Sequence, residues 1–563
     1  MPNAESNEPT QIMLDNEHYR IMLLSGDASI LSSLEKFFVG TKLTVVSVAN
    51  ENEVIPLLNS EKFDVIISEV CTNAAKSLCL RQRIREGGYE MPLLFLVPQH
   101  CWSNMDLLCQ IVEDPYSYYF PENADSRFLS AKLKQVINAN RSKEMLNYTK
   151  SKLERNLMLA SHLQQAMLPP WVYFNKSYEF SSFYCPFSQV SGDLFEWIPL
   201  DDDRVLFIFG DVSGHGTHSA LAMTAVQSFL KQMIFLDKEK AQKPYLVARE
   251  INEFFCHHLQ NIVYMSTLIA YFDFKNNYLC YQNAGYMDLV CVDAITGQID
   301  NINPQNKGSL PLGMVKDVQY TEDDNVEYHF LDSSVFLFFS DGLMDLAKDK
   351  AGESFMDMNV CMNLVSKLVM EAQKEEKTIA IPFRCHHSLE ELGYQCPQDD
   401  LSMVIIRKPL NLEKEYVFSS HVPADKKAVD AICEKAYGFV MSYYEDEELS
   451  VNTELLLEEY LINVIMHGLN EYEKLHEYIA IKLCAYDDRL KLIIWDHGKE
   501  WNGLIMQQQT ADETLDRLNE ELMASGRGLP IIGKIASFSS RQRYSGLNES
   551  IFCIPRKERK GGE

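Results

Sequence analysis

The chain has 563 residues, of which 46% are hydrophobic and 23% charged, and a formal net charge of -28. That length suggests about three or four domains at roughly 150 residues each, and the apolar share is enough to fill ordinary cores. The excess of acid argues against a nucleic-acid partner, because phosphate backbones are gripped by Lys and Arg.

The 14 cysteines form no CxxC pair. Cys280, Cys291, Cys484 and Cys553 sit in apolar stretches, as buried thiols in a reducing compartment would. Cys385-His386-His387 with Cys396 has the residue types of a zinc site but not a common spacing. No apolar run reaches the ~20 residues that cross a bilayer. The polar stretch Met1 to Asn16 lacks the apolar core of a signal peptide. The expectation is a cytoplasmic protein with no membrane partner.

Residues 1–18 read as a loose leader. From Tyr19 strands and helices alternate: strands at Ile21–Leu24, Leu43–Val48, Val65–Ile67 and Leu93–Val97, helices at Ile30–Phe38 and Ser126–Asn138. Alternation over ~120 residues predicts a doubly wound parallel sheet across 19–138. Residues 139–170 form a charged helical linker with no Gly or Pro from Arg141 to Leu168. Leu146, Leu153, Ala160 and Met167 recur every seven residues, widened by Leu157 and Leu163, which predicts a coiled-coil or bundle seam and hence a homodimer. A linker helix packed on its own domain is the alternative.

Residues 171–410 are strand-rich, with strands expected at Val205–Phe209, Val263–Phe274, Tyr278–Asn283 and Val335–Phe339 and a helix at His215–Leu230. Glu371–Gln398 reads as a polar insertion without clear structure. Residues 415–556 form an α+β unit, with helices at Asp425–Tyr443 and Thr453–Asn470 and strands at Tyr478–Cys484, Leu490–Trp495 and Ser550–Ile554.

Four acidic clusters mark the middle region: Gly192-Asp193, the run Gly210-Asp211-Val212-Ser213-Gly214-His215-Gly216, Ser340-Asp341-Gly342, and Asp399-Asp400-Leu401-Ser402. All but the first follow or open an apolar run that reads as a strand. Hard divalent cations prefer oxygen ligands, and a pair of them lowers the pKa of a water and stabilises in-line displacement at phosphorus. In the last region, Glu459 and Asn463 are four residues apart and share one helix face. Asn can ligate Mg²⁺ and Glu can orient or deprotonate a hydroxyl. Trp495-Asp496-His497-Gly498 follows a strand, and Ser525-Gly526-Arg527-Gly528-Leu529 is a Gly-rich loop opening a helix, a setting suited to phosphate.

The middle motifs, with Ala160 to Pro169 ahead of them and Asn283-Ala284-Gly285-Tyr286 between them, resemble SpoIIE/RsbU-type PPM phosphatases in order across about 250 residues. The resemblance implies a β-sandwich flanked by helices holding two Mn²⁺ or Mg²⁺ ions, and a phosphoserine or phosphothreonine substrate. By that resemblance Asp193, Asp211, the Val212 carbonyl, Asp341 and Asp399 are the metal ligands, with Asp399 preferred to Asp400. His215 supports its loop rather than acting as an acid, and Tyr286 stands where the family often has His.

Residues 415–556 resemble the GHKL ATPase fold of RsbW/SpoIIAB anti-sigma serine kinases. The resemblance implies ATP with Mg²⁺ held by Asn463, adenine read by Asp496, a pocket shaped by Gly498, Gly526 and Gly528, and Glu459 as general base. His467 would stand behind the site, and no phosphoacceptor-His dimerisation helix precedes the domain. Residues 19–138 resemble a response-regulator receiver whose acidic pair is replaced by Ser25-Gly26 beside Asp27. Its acceptor position carries Glu69, its strand-four position lies near Val97-Pro98, and its lysine position is Pro121. Such a pseudo-receiver is not phosphorylated; it is locked in one state, answers to a partner, or is a docking and dimerisation domain.

The whole resembles HsbR-type partner-switching regulators. That implies dephosphorylation of a STAS-domain anti-anti-sigma protein, rephosphorylation by the C-terminal domain, and a possible sigma or anti-sigma partner. Two alternatives stand: an ATP-binding module that sequesters a sigma factor or STAS partner without turnover, or a phosphatase with two regulatory flanks.

Overall fold

The computed structural model describes residues 19–38, 43–70, 74–122, 126–214, 216–259, 262–348, 355–395, 397–409, 417–470, 473–499, 528–536 and 538–556. His215, Cys396, Gly526 and the leader lie outside the described residues. The chain divides into two compact units, Met1–Arg155 and Asn156–Glu563.

The first unit contains β1 (Tyr19–Leu24), α1 (Ala28–Phe38), β2 (Leu43–Val48), α2 (Val54–Ser60), β3 (Val65–Glu69), α3 (Ala74–Glu86), β4 (Leu93–Val97), α4 (Met105–Val112) and β5 (Ser117–Pro121). The strands are parallel in the order β2-β1-β3-β4-β5. Both faces are covered, so the strands read as unbroken apolar runs. Met22, Ile66 and Phe95 point into one core and Ile21, Ile67 and Leu94 into the other. The next helix, α5 (Ser126–Met167), is one continuous element of 42 residues. The expected break after Asn138 is absent, because no Gly or Pro interrupts the run. Leu129, Leu133 and Ile137 pack its start on the sheet, and Arg141 pairs with Asp64 at 2.7 Å. Beyond that, Leu146, Leu153, Leu159 and Leu163 are exposed.

The second unit opens with a two-sheet sandwich. Its elements are β6 (Val172–Phe174), β7 (Glu179–Cys185), β8 (Asp193–Pro199), β9 (Arg204–Val212), α6 (Thr217–Leu236), α7 (Pro244–His258), β10 (Met265–Asp273), β11 (Tyr278–Ala284), β12 (Val290–Asp293), β13 (Ile299–Asp300), β14 (Val326–His329), β15 (Ser334–Phe339), α8 (Met358–Glu375), α9 (Ile381–Glu391) and β16 (Leu401–Arg407). The sheets run β14-β11-β10-β9-β8 and β13-β12-β15-β16-β7-β6. On β9 the odd residues Val205, Phe207 and Phe209 enter the core between the sheets, while Leu206 and Ile208 pack beneath α6 and α7. On β15, Phe336 and Phe338 face inward and Val335 and Leu337 face α8 and α9. Period-two alternation with both faces covered gives the continuous apolar runs seen in the sequence.

Three expectations change here. The first acidic cluster also opens a strand, since Asp193 begins β8. The stretch Glu371–Gln398 is largely helical, containing the end of α8 and all of α9. And α6 is long and apolar enough by composition to cross a membrane. It nevertheless buries Met223, Val226 and Leu230 against β8 and β9, as a core helix does.

The C-terminal part contains β17 (Val417–Pro423), α10 (Lys426–Tyr444), α11 (Glu447–Asn463), β18 (Tyr478–Ala485), β19 (Arg489–Asp496), a helix at Gly528–Ile535, β20 (Phe538–Tyr544) and β21 (Leu547–Pro555), in sheet order β17-β18-β19-β21-β20. One face, with Leu490, Leu492 and Ile494, packs on α10 and α11. The other, with Ala480, Ile493, Trp495 and Leu547, continues the core that holds Phe383, Leu389 and Val365 of the sandwich. This five-stranded sheet is thus covered by the neighbouring sandwich. Glu179 of β7 is buried there within 3.9 Å of both Arg407 and Lys482 and accepts from Thr378 Oγ1 at 2.9 Å.

Candidate active sites

The register of the sandwich brings the acidic clusters together. Asp193 and Asp211 are direct partners on β8 and β9. Asp341 follows β15 and Asp399 precedes β16, which are paired in the facing sheet. Burial, then the neighbouring Asp341, Asp399 and Asp400, push Asp211 up to about 8. Burial and Asp211 raise Asp193 well above the usual carboxylate range. Burial, Asp399 and Asp345 raise Asp341. This is an excess of negative charge that a cation would relieve. Among the described residues no three His, Cys, Asp or Glu groups close into a ready-made cage.

Several groups fix this end of the sandwich. Ser402 Oγ donates to Asp193 Oδ2 at 2.6 Å, and Ser402 N donates to Ser340 Oγ at 2.8 Å. Asp400 accepts from Phe187 N at 2.7 Å and Gly192 N at 2.8 Å, so its carboxylate ties two backbone segments together. Asp399 Oδ1 accepts from Asp400 N at 2.8 Å. A Cβ on Gly342 would fall 2.0 Å from the Asp400 carbonyl oxygen, and one on Gly192 would fall 2.9 Å from the Val212 carbonyl oxygen. Only glycine fits either approach. Burial and the charges of Asp193, Asp341 and Asp211 raise Tyr286, whose hydroxyl donates to Phe339 O at 3.3 Å. Gln164 near the end of α5 is buried and brackets Ser191: its Nε2 donates to Ser191 O at 2.7 Å and its Oε1 accepts from Ser191 N at 3.1 Å.

In the C-terminal domain α11 ends at Asn463 and passes into a π-helical turn, Val464–Gly468. Such turns are frequent at functional sites. Glu459 lies one turn earlier and His467 is exposed on the π turn. Asn463 Nδ2 is buried without a partner among the described residues, and a buried amide in that state is a vacant hydrogen-bonding position. Asp496 ends β19 fully buried. Its Oδ1 accepts from Gly498 N and Asn548 Nδ2, both at 2.8 Å, and its Oδ2 from the Tyr460 hydroxyl at 3.1 Å. Gly468 and Gly498 approach closely, with a Cβ on Gly498 falling 3.4 Å from Gly468 Cα. Gly528 begins the helix Gly528–Ile535.

In the first unit Ser25 Oγ donates to Glu69 Oε2 at 2.8 Å. Ser25 follows β1 and Glu69 ends the adjacent parallel strand β3, so the positions expected to hold a receiver's chemistry bond to each other. The sequence did not single out Asp345 or Asn548, and Gln164, Tyr460 and Ser402 fell only within longer motifs, without a role. Asp345, four residues after Asp341, has a spacing that could have found it; Asn548 is a single polar residue in a mixed run and carries no pattern.

Residues 201–409 match the Stage II sporulation protein E (SpoIIE) family and residues 422–549 match the Histidine kinase-like ATPase domain family. A curated relative, the phosphoserine phosphatase RsbP of Bacillus subtilis (strain 168), is 24% identical over 192 residues, 34% of this chain and 46% of RsbP. The chain therefore spans about half the length of that relative. Among solved structures, the RsbU and RsbW domains of Rv1364c from Mycobacterium tuberculosis are 16% identical with a TM-score of 0.34, over 68% of this chain and 97% of that one. The SiaA-PP2C domain of Pseudomonas aeruginosa is 19% identical with a TM-score of 0.38, over 46% and 98%. The chain is a multidomain protein carrying a SpoIIE-type PPM phosphatase domain and a histidine kinase-like ATPase domain behind a receiver-like α/β domain.

Proposed function

We propose that the chain is a bifunctional partner-switching regulator: a metal-dependent serine/threonine phosphatase and an ATP-dependent serine/threonine kinase acting on one STAS-domain anti-anti-sigma protein. The observation that carries this reading is the convergence of Asp193, Asp211, Asp341 and Asp399 at one end of the sandwich, with Asp211 pushed up to about 8 by burial and its acidic neighbours. These four carboxylates and the Val212 carbonyl would hold two Mn²⁺ or Mg²⁺ ions. When bound, the pair supplies Lewis-acid activation of a water and charge neutralisation at the phosphoryl group. Ser402 and the Asp400–Gly192 bond fix Asp193, and Tyr286 closes the site toward β15. Asp400 accepts from the Phe187 and Gly192 backbone, which supports Asp399 as the ligand of the pair.

In the ATPase domain Asn463 would hold Mg²⁺, Asp496 would read adenine, Gly498, Gly526 and Gly528 would shape the pocket, and Glu459 would take the proton from the substrate hydroxyl. The pseudo-receiver, with Ser25 bonded to Glu69, acts by contact rather than by phosphorylation. The exposed stripe of Leu146, Leu153 and Leu163 on α5 would form the homodimer seam. Gln164 links that helix to the strand that starts at Asp193.

A second reading is favoured by one observation: the ATPase-like sheet gives a whole face to the phosphatase domain. A domain so embedded suits an ATP-bound module that sequesters a STAS or sigma partner without turnover. The test follows phosphorylation of a STAS partner by mass, with Mg-ATP and then Mn²⁺, for the intact chain, Asp211→Asn and Glu459→Ala. Accumulation of phosphorylated partner with Asp211→Asn but not with Glu459→Ala supports both enzymes. If phosphate never appears while a pre-phosphorylated partner is still cleared, the sequestration reading replaces the kinase.

A further inference from the structure

The turn on which nucleotide recognition relies, Asp496-His497-Gly498, is held by both domains of the second unit. The ladder between β19 and β21 ends at the pair Asp496 and Asn548. Past that point side-chain contacts set the path of the backbone. On the ATPase side, Asn548 Nδ2 and Arg543 Nη1 donate to Gly498 O at 2.7 and 2.8 Å, and Lys499 N donates to Gly468 O at 2.8 Å. The middle residue, His497, is held largely from the phosphatase side. Its ring lies edge-on to Trp171, with centroids 4.8 Å apart and planes at 77°, and 5.2 Å from Phe383 of α9.

Trp171 also reaches the group that orients His497. Its Nε1 donates to Tyr478 O at 2.7 Å and to Glu477 Oε1 at 3.2 Å, and that Glu477 oxygen is 2.9 Å from His497 Nδ1. Trp171 is itself anchored: Pro169-Pro170 precede it, Ser182 N donates to its carbonyl at 2.7 Å, and Phe383 packs edge-on at 5.5 Å. The prolines remove backbone freedom on that side. The turn folds closely on its own aspartate, since a Cβ on Gly498 would fall 2.8 Å from Asp496 Oδ1.

We propose that Trp171, a residue of the phosphatase domain, is a positioning residue for the nucleotide site of the ATPase domain. It fixes the Glu477–His497 pair and through it the turn that aims Asp496. The inference rests on the nucleotide reading and adds that the ATP site is complete only when the two domains are packed together.

The test is calorimetric titration of the full chain with Mg-ATP, with circular dichroism as the control for folding. Removing two hydrogen bonds and a ring contact should weaken binding about tenfold in Trp171→Leu and about threefold in Trp171→Phe, which keeps a ring and loses the N–H. The double variant Trp171→Leu/His497→Leu should bind no more weakly than the weaker single variant, because the two side chains act through one contact. Asp496→Asn should abolish binding. Wild-type affinity in Trp171→Leu alongside loss in Asp496→Asn overturns this inference alone, as do additive losses in the double variant. If Trp171→Leu does not fold, wild-type affinity in Trp171→Phe overturns it on the same ground. If the wild-type chain binds no ATP, the nucleotide reading falls and takes the inference with it.

Discussion

Glu179 offers a direct test of whether the phosphatase and ATPase domains fold as one body. Its carboxylate, 4% exposed, lies between Arg407, 2% exposed, and Lys482, 7% exposed, at 3.9 Å from each. At that distance and an effective dielectric of about 20, each cation attracts it by about 4 kcal/mol before desolvation is counted. Glu179→Ala leaves two buried cations without a counter-charge, and breaking a buried pair in this way costs about 3–5 kcal/mol. If the second unit, Asn156–Glu563, melts in one transition, about 2.1 cal/mol/K per residue gives about 1 °C per kcal/mol, and scanning calorimetry should show the midpoint lowered by about 4 °C. Because Lys482 belongs to the ATPase domain and Arg407 to the phosphatase domain, the single transition of the second unit should split in two. Glu179→Ala/Lys482→Met should recover part of the loss, since one orphaned charge is gone. Burial raises the Glu179 carboxyl, but Lys482, Arg407 and the Thr378 hydroxyl outweigh it and hold the group below its ordinary value. The folded value is depressed, so this stability is present above the unfolded carboxyl's range and is lost as pH falls through the folded value. Glu179→Gln should therefore flatten the acid limb of midpoint against pH. A midpoint within about 1 °C of wild type in Glu179→Ala, with no splitting of the transition, would show that Glu179 does not tie the two domains together.

Gly342→Ala forces a methyl to 2.0 Å from the Asp400 carbonyl oxygen. It should cost about 1–3 kcal/mol in chemical denaturation and lower Mn²⁺ affinity, because Asp341 and Asp399 flank that contact. Gln164→Leu strands the Ser191 N–H and C=O at a buried position and should cost about 1–3 kcal/mol, with phosphatase kcat falling further than KM rises. Leu153→Glu adds charge to the exposed α5 stripe; sedimentation should show a dimer converted to monomer, and an unchanged mass would remove the seam.

The strands before the site motifs were legible because β9, β15 and β19 are covered on both faces and so read as continuous apolar runs. That the four acidic clusters share one end of a sandwich was implied by the family resemblance they carry. The π turn after Asn463 left no mark, since Val464 to His467 continue the helical pattern. The helix α9 was hidden for a different reason. His386 stacks on Phe183 and lies 2.8 Å from Ser545 Oγ, and the His387 and Tyr544 rings meet edge-on. Its polar face is an interface with another domain, which in sequence looks like solvent. The same holds for Trp171, whose hydrogen-bond partners Glu477 and Tyr478 are 306 and 307 residues away in the chain. The domain-spanning core was foreshadowed only by Ile493 and Trp495, apolar on the face of β19 that α10 and α11 do not use.

On the proposed function, Asp193, Asp211, Asp341 and Asp399 would together hold two ions at one site that cleaves phosphate from protein. The most direct measurement is Mn²⁺ titration calorimetry paired with hydrolysis of p-nitrophenyl phosphate, on the wild-type chain, Asp211→Asn and Asp399→Asn. The account predicts two ions bound per wild-type chain, and loss of both ion binding and hydrolysis in each variant. Hydrolysis that survives Asp211→Asn, or Mn²⁺ binding that neither substitution changes, would contradict it.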